Sequence, residues 1–290
     1  MRIVILGHVC IDKNSSEHAS YTSAGSPAMF MNLIFTQLPN CEVTIITPYG
    51  ADFLPFMGSA HLFPSSPTQE KTLVYENNTS QGKRIQKAHN RQYATTIPMT
   101  PDMEISIKQA DILIIAPLLP NISSAYIKSV VEKTSPNTIK VLSPQGYYRA
   151  FTSEDIVTEA EFSAADEILN QMDIVIVSDQ DRKDMQQTLR HWTEKHPKLV
   201  AVMTKSKDGA IVLKGNKETV VRVEEVKEED IVDSVGSGDI FTAGFAYNYW
   251  QTRDIQQAGD FANALARQCL FFKPNDIKIQ SQALNFSRAY

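Results

Sequence analysis

The chain has 290 residues, enough for one large α/β domain or two smaller ones, and its 42% hydrophobic and 21% charged residues are those of an ordinary water-soluble fold. A formal net charge of −5 gives no electrostatic case for nucleic acid or an anionic membrane surface, and the three scattered cysteines, Cys10, Cys41 and Cys269, form neither a C-x-x-C nor a disulfide framework. The longest apolar run, 112–120, is far below a membrane span and the opening M-R-I-V-I-L-G is too short for a signal-peptide core, so a cytoplasmic protein with no membrane partner is expected.

In chain order, residues 2–7 read as an apolar strand, central in a parallel sheet, that stops at G-H-V-C-I-D. Open α/β sheets bind ligands beyond the carboxyl ends of their strands, so His8 and Asp12 are candidates by position. The competing readings are a satisfied polar residue at a strand end and a plain turn aspartate. The string A-G-S-P at 24–27 opens a helix running to about Leu38, with Pro27 harmless in its first turn. Asn32 on that helix is either a ligand residue or polar surface. A strand follows over 41–48. From 68 to 96 the texture changes: T-L-V-Y-E-N, a turn at 79–82 and K-R-I-Q-K-A-H read as a β-hairpin. Its Lys83, Arg84, Lys87 and Arg91 fit a solvated face, or else a surface for an anionic acceptor.

Residues 111–116 are a strand, followed by a helix ending near 132, and 138–142 a strand leading into S-P-Q-G-Y-Y-R. A helix over 163–172 and a strand over 173–177 precede S-D-Q-D. An amphipathic helix covers 183–194; His191 and His196 near it lack zinc spacing. The strand at 199–204 continues into T-K-S-K-D-G, and 210–213 with 219–223 read as a hairpin around Gly215-Asn216. The residues after 272 are expected to finish a sheet edge. Strand–helix units with one β-rich insert predict an α/β three-layer fold.

One stretch carries chemistry: D-S-V-G-S-G-D at 233–239, followed by a helical run with small or apolar residues that can give it one buried side. A glycine-rich turn entering a helix leaves backbone N–H groups without internal partners. They lie at the positive end of the helix dipole, which suits a phosphate or a phosphoryl group in transfer. Asp239 sits at the same point, where the dipole is expected to keep it ionised and able to accept a proton. The plain alternative is a tight turn with an aspartate N-cap. The stretch is not the P-loop pattern G-x-x-x-x-G-K-[ST], nor the protein-kinase glycine loop.

This stretch resembles the D-T-x-G-A-G-D signature of the ribokinase family, the pfkB-type carbohydrate kinases, with Ser234 for the threonine and Ser237 for the alanine. The string D-F-A-N-A-L-A at 260–266 is similar to the family's A-N-A-A-A helix beside the adenine. The resemblance implies a three-layer ribokinase-like sandwich over 1–290 as one domain, with a small β-sheet lid formed by insertions at 13–22 and 68–96. It implies a catalytic set of Asp239 as base with Gly236, Ser237 and Gly238, and acceptor contacts from Asp12, in a G-x-x-x-x-D frame, from Gly25, and from Gln145 and Arg149 of Q-G-x-x-R. It implies a donor side of Ser178 and Asp181 in place of N-x-x-E, Thr204 and Gly209 in place of T-x-G-x-x-G, and Asn263. ATP and Mg2+ are the implied cofactors, the metal reached by Asp181 through water. Gly50 and Asp52 match the family's V-G-x-D, Asp52 as a cap supporting the site. The pattern departs at Ala24, Met29, Ser178 and Ser206; Met29 replaces an acceptor-contacting asparagine. The lid string is closest to inositol-kinase-like members. A small sugar or polyol is the expected acceptor; a nucleoside, with a base slot from Met29, Phe30 or Tyr75, and a noncatalytic sugar- or nucleotide-binding relative are the alternatives. A monomer or a homodimer fits.

Overall fold

The structure, a computed structural model, describes residues 1–16, 20–80, 83–274 and 276–279. The chain starts with β1 (Arg2–Gly7), β2 (Cys10–Ser16) and β3 (Ser20–Gly25), then α1 (Pro27–Phe35) and β4 (Glu42–Ile46). Next come β5 (Leu62–Phe63), β6 (Leu73–Ser80), β7 (Lys83–His89), α2 (Pro101–Lys108), β8 (Ile112–Ala116), α3 (Ser124–Val131) and β9 (Ile139–Leu142). The second half holds β10 (Arg149–Phe151), β11 (Val157–Glu159), α4 (Ala165–Leu169), β12 (Ile174–Ser178), α5 (Met185–Lys195) and β13 (Val200–Thr204). It closes with β14 (Ala210–Lys214), β15 (Lys217–Val221), α6 (Ser237–Thr252) and α7 (Ile255–Cys269).

Among the described residues nine strands make the central sheet, in the order β15-β14-β13-β12-β9-β8-β1-β4-β5. The run from β13 to β5 is parallel, and β14 and β15 close one edge antiparallel. A parallel sheet is covered on both faces, so its strands read as unbroken apolar runs. Along β1, Ile3 and Ile5 face the core under α1, α6 and α7, while Val4 and Leu6 face the core under α2, α3, α4 and α5. In β8, Ile112 and Ile114 turn to the first core, Leu113 and Ile115 to the second. That is the three-layer sandwich the strand–helix order predicts.

A separate four-stranded sheet has the order β3-β2-β6-β7. β2 runs antiparallel to β3 and parallel to β6, and β6 and β7 form the expected hairpin. Its own apolar cluster includes Cys10, Leu73, Tyr75, Ala88, Ala94, Leu118 and Leu119. Residues 17–19 and 81–82, inside the two expected insertions, lie outside the described residues.

Three expectations are corrected. α6 has no single buried side: every residue from Ile240 to Tyr249 is buried, because α7, α1 and the sheet enclose it. Phe241, Phe245 and Tyr249 stack along it at 6.0 and 5.9 Å. The residues after 272 add no strand within the described part. Instead Ile277 is buried and Gln37 ties the segment to the end of α1, its Nε2 donating to the Ile277 carbonyl (3.0 Å) and its Oε1 accepting from the Ile279 N–H (2.9 Å). Residues 280–290 lie outside the described residues. The helix expected over 163–172 is the single turn of α4, and α2, β5 and the β10–β11 pair carried no pattern strong enough to predict them.

Candidate active site

The loop into α6 is built by local bonds. Asp233 Oδ1 accepts from the Val235 N–H at 2.8 Å, and the Ser234 carbonyl accepts from the Ser237 N–H at 3.2 Å. Gly236 is the N-cap residue at φ 83°, and no side chain caps the helix. The aspartate-cap alternative therefore does not hold: Asp239 stands in the first turn and caps nothing. Among the described residues the N–H groups of Gly238 and Asp239 have no hydrogen-bond partner. A Cβ on Gly238 would meet no atom within 4 Å, whereas one on Gly236 would lie 2.7 Å from the Phe30 ring of α1. Two free donors at a helix start have the chemistry to hold an anion.

The Asp239 carboxyl lies within electrostatic reach of Arg149, Asp12 and Asp181. Burial pushes its pKa up to about 7; Arg149 pulls it down, and the Asp12 and Asp181 carboxylates push it up. The expectation that the helix dipole keeps it fully ionised is thus reversed: desolvation and two like charges outweigh the dipole and one guanidinium. The group stands near half-protonation at neutral pH, where a general base works best.

On the acceptor side, Asp12 sits on β2 between Ser23 of β3 and Tyr75 of β6. A Cβ on Gly25 would lie 2.2 Å from Asp12 Cγ, so Gly25 serves by making room for that carboxyl. Arg149 opens β10 and lays its guanidinium over the Tyr75 ring at 4.9 Å. Its Nη1 donates to the Tyr75 hydroxyl (2.9 Å) and to the Leu118 carbonyl (3.3 Å). The side chain of Gln145, in the turn just before, has no hydrogen-bond partner among the described residues. Next to Gly25, Ser26 has φ 105° and ψ 151°, a region nearly reserved for glycine, and its Oγ accepts from the Met29 N–H at 3.2 Å. That strained corner aims α1 and Phe30 at Gly236. Asp52 accepts from the Thr72 N–H (3.0 Å) and hydroxyl (2.6 Å), and so holds the start of β6 rather than the cleft.

On the other side, Ser178 and Thr204 are register partners at the ends of β12 and β13. Asp181 folds back so that its Oδ2 accepts from the Ser178 N–H at 2.8 Å. Burial raises its pKa, the Ser178 N–H and Arg149 work against that, and Asp179 adds to it. Gly209 and Asn263 converge instead on the end of β15. Gly209 has φ 80° and would place a Cβ 2.1 Å from the Val221 carbonyl oxygen; Asn263 Nδ2 donates to the Val221 (3.3 Å) and Arg222 (3.0 Å) carbonyls. Both shape the wall of the fold there, and the Asn263 donors are spent on it.

His8 is buried and neutral: burial lowers its pKa to about 4. Both ring nitrogens are engaged, with Leu118 (3.1 Å) and the Ala94 carbonyl (3.2 Å). It is the satisfied strand-end residue of the two readings. Leu118, whose carbonyl holds both Tyr75 and Arg149, escaped sequence reasoning because a backbone acceptor leaves no side-chain signal. No group of three or more His, Cys, Asp or Glu able to hold a metal occurs among the described residues. Asp181, a single carboxylate, fits Mg2+ held mainly by phosphate oxygens and reached through water.

Comparison with known proteins adds to this geometry. The profile described as pfkB family carbohydrate kinase matches residues 155–271, a stretch that contains Ser178, Asp181, Thr204, Gly209, Asp239 and Asn263. An uncharacterized sugar kinase of Archaeoglobus fulgidus is 38% identical over 72 residues, 25% of this chain, and that stretch spans 27% of the relative's length. Among ribokinase-like structures, a pyrophosphate-dependent kinase in its sulfate complex superposes with a TM-score of 0.77 at 17% identity, covering 98% of this chain and 99% of that one. The Arabidopsis thaliana ribokinase complexed with ribose and ATP gives 0.71 at 15% identity, covering 99% of each chain. At these identities the structures share the ribokinase-like fold with this chain. The profile match does not reach Asp12, Gly25, Gln145 or Arg149. No helix among the described residues is long and apolar enough to cross a membrane.

Proposed function

We propose that this chain is a kinase that transfers the γ-phosphoryl group of ATP to a hydroxyl of a small, uncharged sugar or polyol. The observation that carries the reading is Asp239: a carboxyl of pKa about 7 that feels the charges of Arg149, Asp12 and Asp181, in the first turn of a helix whose N–H groups at Gly238 and Asp239 have no partner among the described residues. Asp12 and Arg149 orient the acceptor hydroxyls, with Gln145 as a further donor. Asp239 Oδ takes the proton from the attacking hydroxyl as its oxygen bonds to the γ-phosphorus and the bond to the β–γ bridging oxygen breaks, releasing ADP. The N–H groups of Gly238 and Asp239 stabilise the charge on the phosphoryl in flight. Mg2+, when bound, neutralises phosphate charge; Asp181 would hold its water shell, with Ser178 and Thr204 beside the phosphates. The β3-β2-β6-β7 sheet is the lid of a single domain and excludes water from the transfer.

A nucleoside acceptor is less well served. Tyr75 is fully buried beneath Arg149 and the Phe30 ring packs on Gly236, so two of the three residues suited to a base slot are already filled. A noncatalytic binding protein would gain nothing from a carboxyl held at so unfavourable a proton affinity. The test is product formation by mass detection over a panel of sugars, polyols and nucleosides, run with ATP and with pyrophosphate as donors. A phosphorylated polyol or sugar formed from ATP supports the reading; a chain that binds ATP and phosphorylates nothing overturns it, and product from pyrophosphate alone overturns the donor assignment.

A further inference from the structure

His8, at the end of β1, touches neither the helix start nor Asp239, yet it begins a buried chain of hydrogen bonds that ends at the cleft. The Leu118 N–H, which can only donate, lies 3.1 Å from His8 Nδ1. Nδ1 is therefore the acceptor, and the ring proton is on Nε2, donating to the Ala94 carbonyl at 3.2 Å. That carbonyl also takes Asn121 Nδ2. The Leu118 backbone passes the constraint on, its N–H and its carbonyl lying in consecutive peptide planes joined at one buried residue. Its carbonyl accepts from the Tyr75 hydroxyl (2.9 Å) and from Arg149 Nη1 (3.3 Å), and Nη1 also reaches the Tyr75 hydroxyl (2.9 Å). His8, Leu118 and Tyr75 are all nearly inaccessible to solvent, so a broken link cannot be replaced by water without cost.

We propose that His8 is a positioning residue that, through the two peptide planes joined at Leu118, fixes the Arg149 guanidinium over the acceptor cleft. Its consequence for catalysis rests on the kinase reading above. Its consequence for Arg149 does not. Arg149 spends one nitrogen on Tyr75 and Leu118 and keeps the rest of its fork for the cleft; if the Leu118 carbonyl turns away, the fork loses its register.

Two substitutions separate the ends of the imidazole. Asn places Oδ1 where Nδ1 lies, so H8N keeps the bond from Leu118 and gives up Ala94. Gln places Nε2 where the ring Nε2 lies, so H8Q keeps Ala94 and gives up Leu118. NMR of arginine-labelled protein, with the Arg149 signal assigned through Arg149→Lys, needs no substrate. Wild type and H8N are expected to show slow rotation and separate Nη resonances for Arg149, and H8Q averaged ones. With the best acceptor from the panel, H8Q is expected to raise the acceptor KM about ten-fold while the ATP KM stays within about two-fold, and H8N to remain within about three-fold of wild type on both. His8→Met, which fills the space and offers Leu118 no acceptor, replaces H8Q should that variant not fold. Identical Arg149 spectra in all variants, or equal losses for H8N and H8Q, overturn the proposal. If wild type phosphorylates no acceptor, the kinase reading fails and the Arg149 spectra still decide the role of His8.

Discussion

Gly236 and Gly238 sit two residues apart and are glycine for different reasons. Gly236 needs its left-handed φ of 83° and close contact with Phe30. An alanine there is expected to cost about 1–3 kcal/mol in a denaturant titration. Gly238 has no protein neighbour to exclude, and Ala in a helix is favoured over Gly by roughly 0.5–1 kcal/mol. Gly238→Ala is therefore expected to fold at least as stably as wild type and to lose about ten-fold or more in kcat/KM for ATP, because its methyl enters the space where phosphate is proposed to bind. A Gly238→Ala enzyme with unchanged kcat/KM would remove the anion site from α6. Asp239 gives the complementary case. Its folded-state pKa of about 7 lies above the ordinary 3.8. Between those values the unfolded carboxyl is ionised while the folded one holds its proton, so stability falls as pH rises through the window and is lowest above pH 7. Asp239→Asn is expected to raise Tm little at pH 4 and most at pH 8, while lowering the single-turnover rate about 10²- to 10⁴-fold. A pH-independent Tm difference would show that the carboxyl is not held in this way.

At the scale of elements, the cleft lies where the ends of β12 and β13, the start of α6 and the small sheet approach one another. β2 brings Asp12, β6 brings Tyr75, and β10 brings Arg149 onto Tyr75. A ligand gripped by Asp12 and Arg149 would therefore tie the small sheet to the sandwich. Acceptor binding is expected to slow amide hydrogen exchange in β2, β3, β6 and β7, and ATP alone to slow it chiefly near Thr204 and 236–239. Protection confined to the second region in the presence of acceptor would deprive the small sheet of its role as lid. The basic hairpin residues weigh less than their sequence suggests. Arg91 is paired with Asp155 at 2.7 Å and lies over the Phe151 ring, so it is not available to grip an anionic acceptor.

Across the whole molecule, two buried titrating groups pull stability in opposite directions. His8 has its pKa lowered to about 4 from 6.5 by burial. An unfolded histidine takes up a proton as pH falls below 6.5 and the folded one does not. The stability His8 contributes is thus complete above pH 6.5 and is lost as pH falls toward 4, by up to roughly 3 kcal/mol. His8→Asn, which cannot titrate, is expected to flatten the denaturant midpoint between pH 6.5 and 4. Equal slopes for both proteins in that window would contradict a neutral, buried His8. The Asp239 effect runs the other way over pH 4 to 7, so the optimum of the native protein is set by their balance.

The sequence by itself determined what is local and periodic. Unbroken apolar runs at 3–6, 112–116 and 199–203 demand strands buried on both faces, and hence a parallel sheet between helix layers. The Gly215-Asn216 pair demands a hairpin, and D-S-V-G-S-G-D a glycine turn into a helix with open N–H groups. Tertiary structure alone decided what depends on distant neighbours. Gly209 and Asn263 are bound to the end of β15 because β15 passes beside them, which no spacing in the chain reveals. Arg149 stacks on Tyr75, 74 residues away, because the β10–β11 pair is bridged to β7, the neighbour of β6. Asp239 was expected to be ionised by its helix, a local field; its proton affinity is set instead by burial and by Asp12 and Asp181, which the fold brings in from β2 and from beyond β12. Charge acts through space and desolvation depends on all surrounding atoms, so the chemistry of this site follows from packing as much as from its motif.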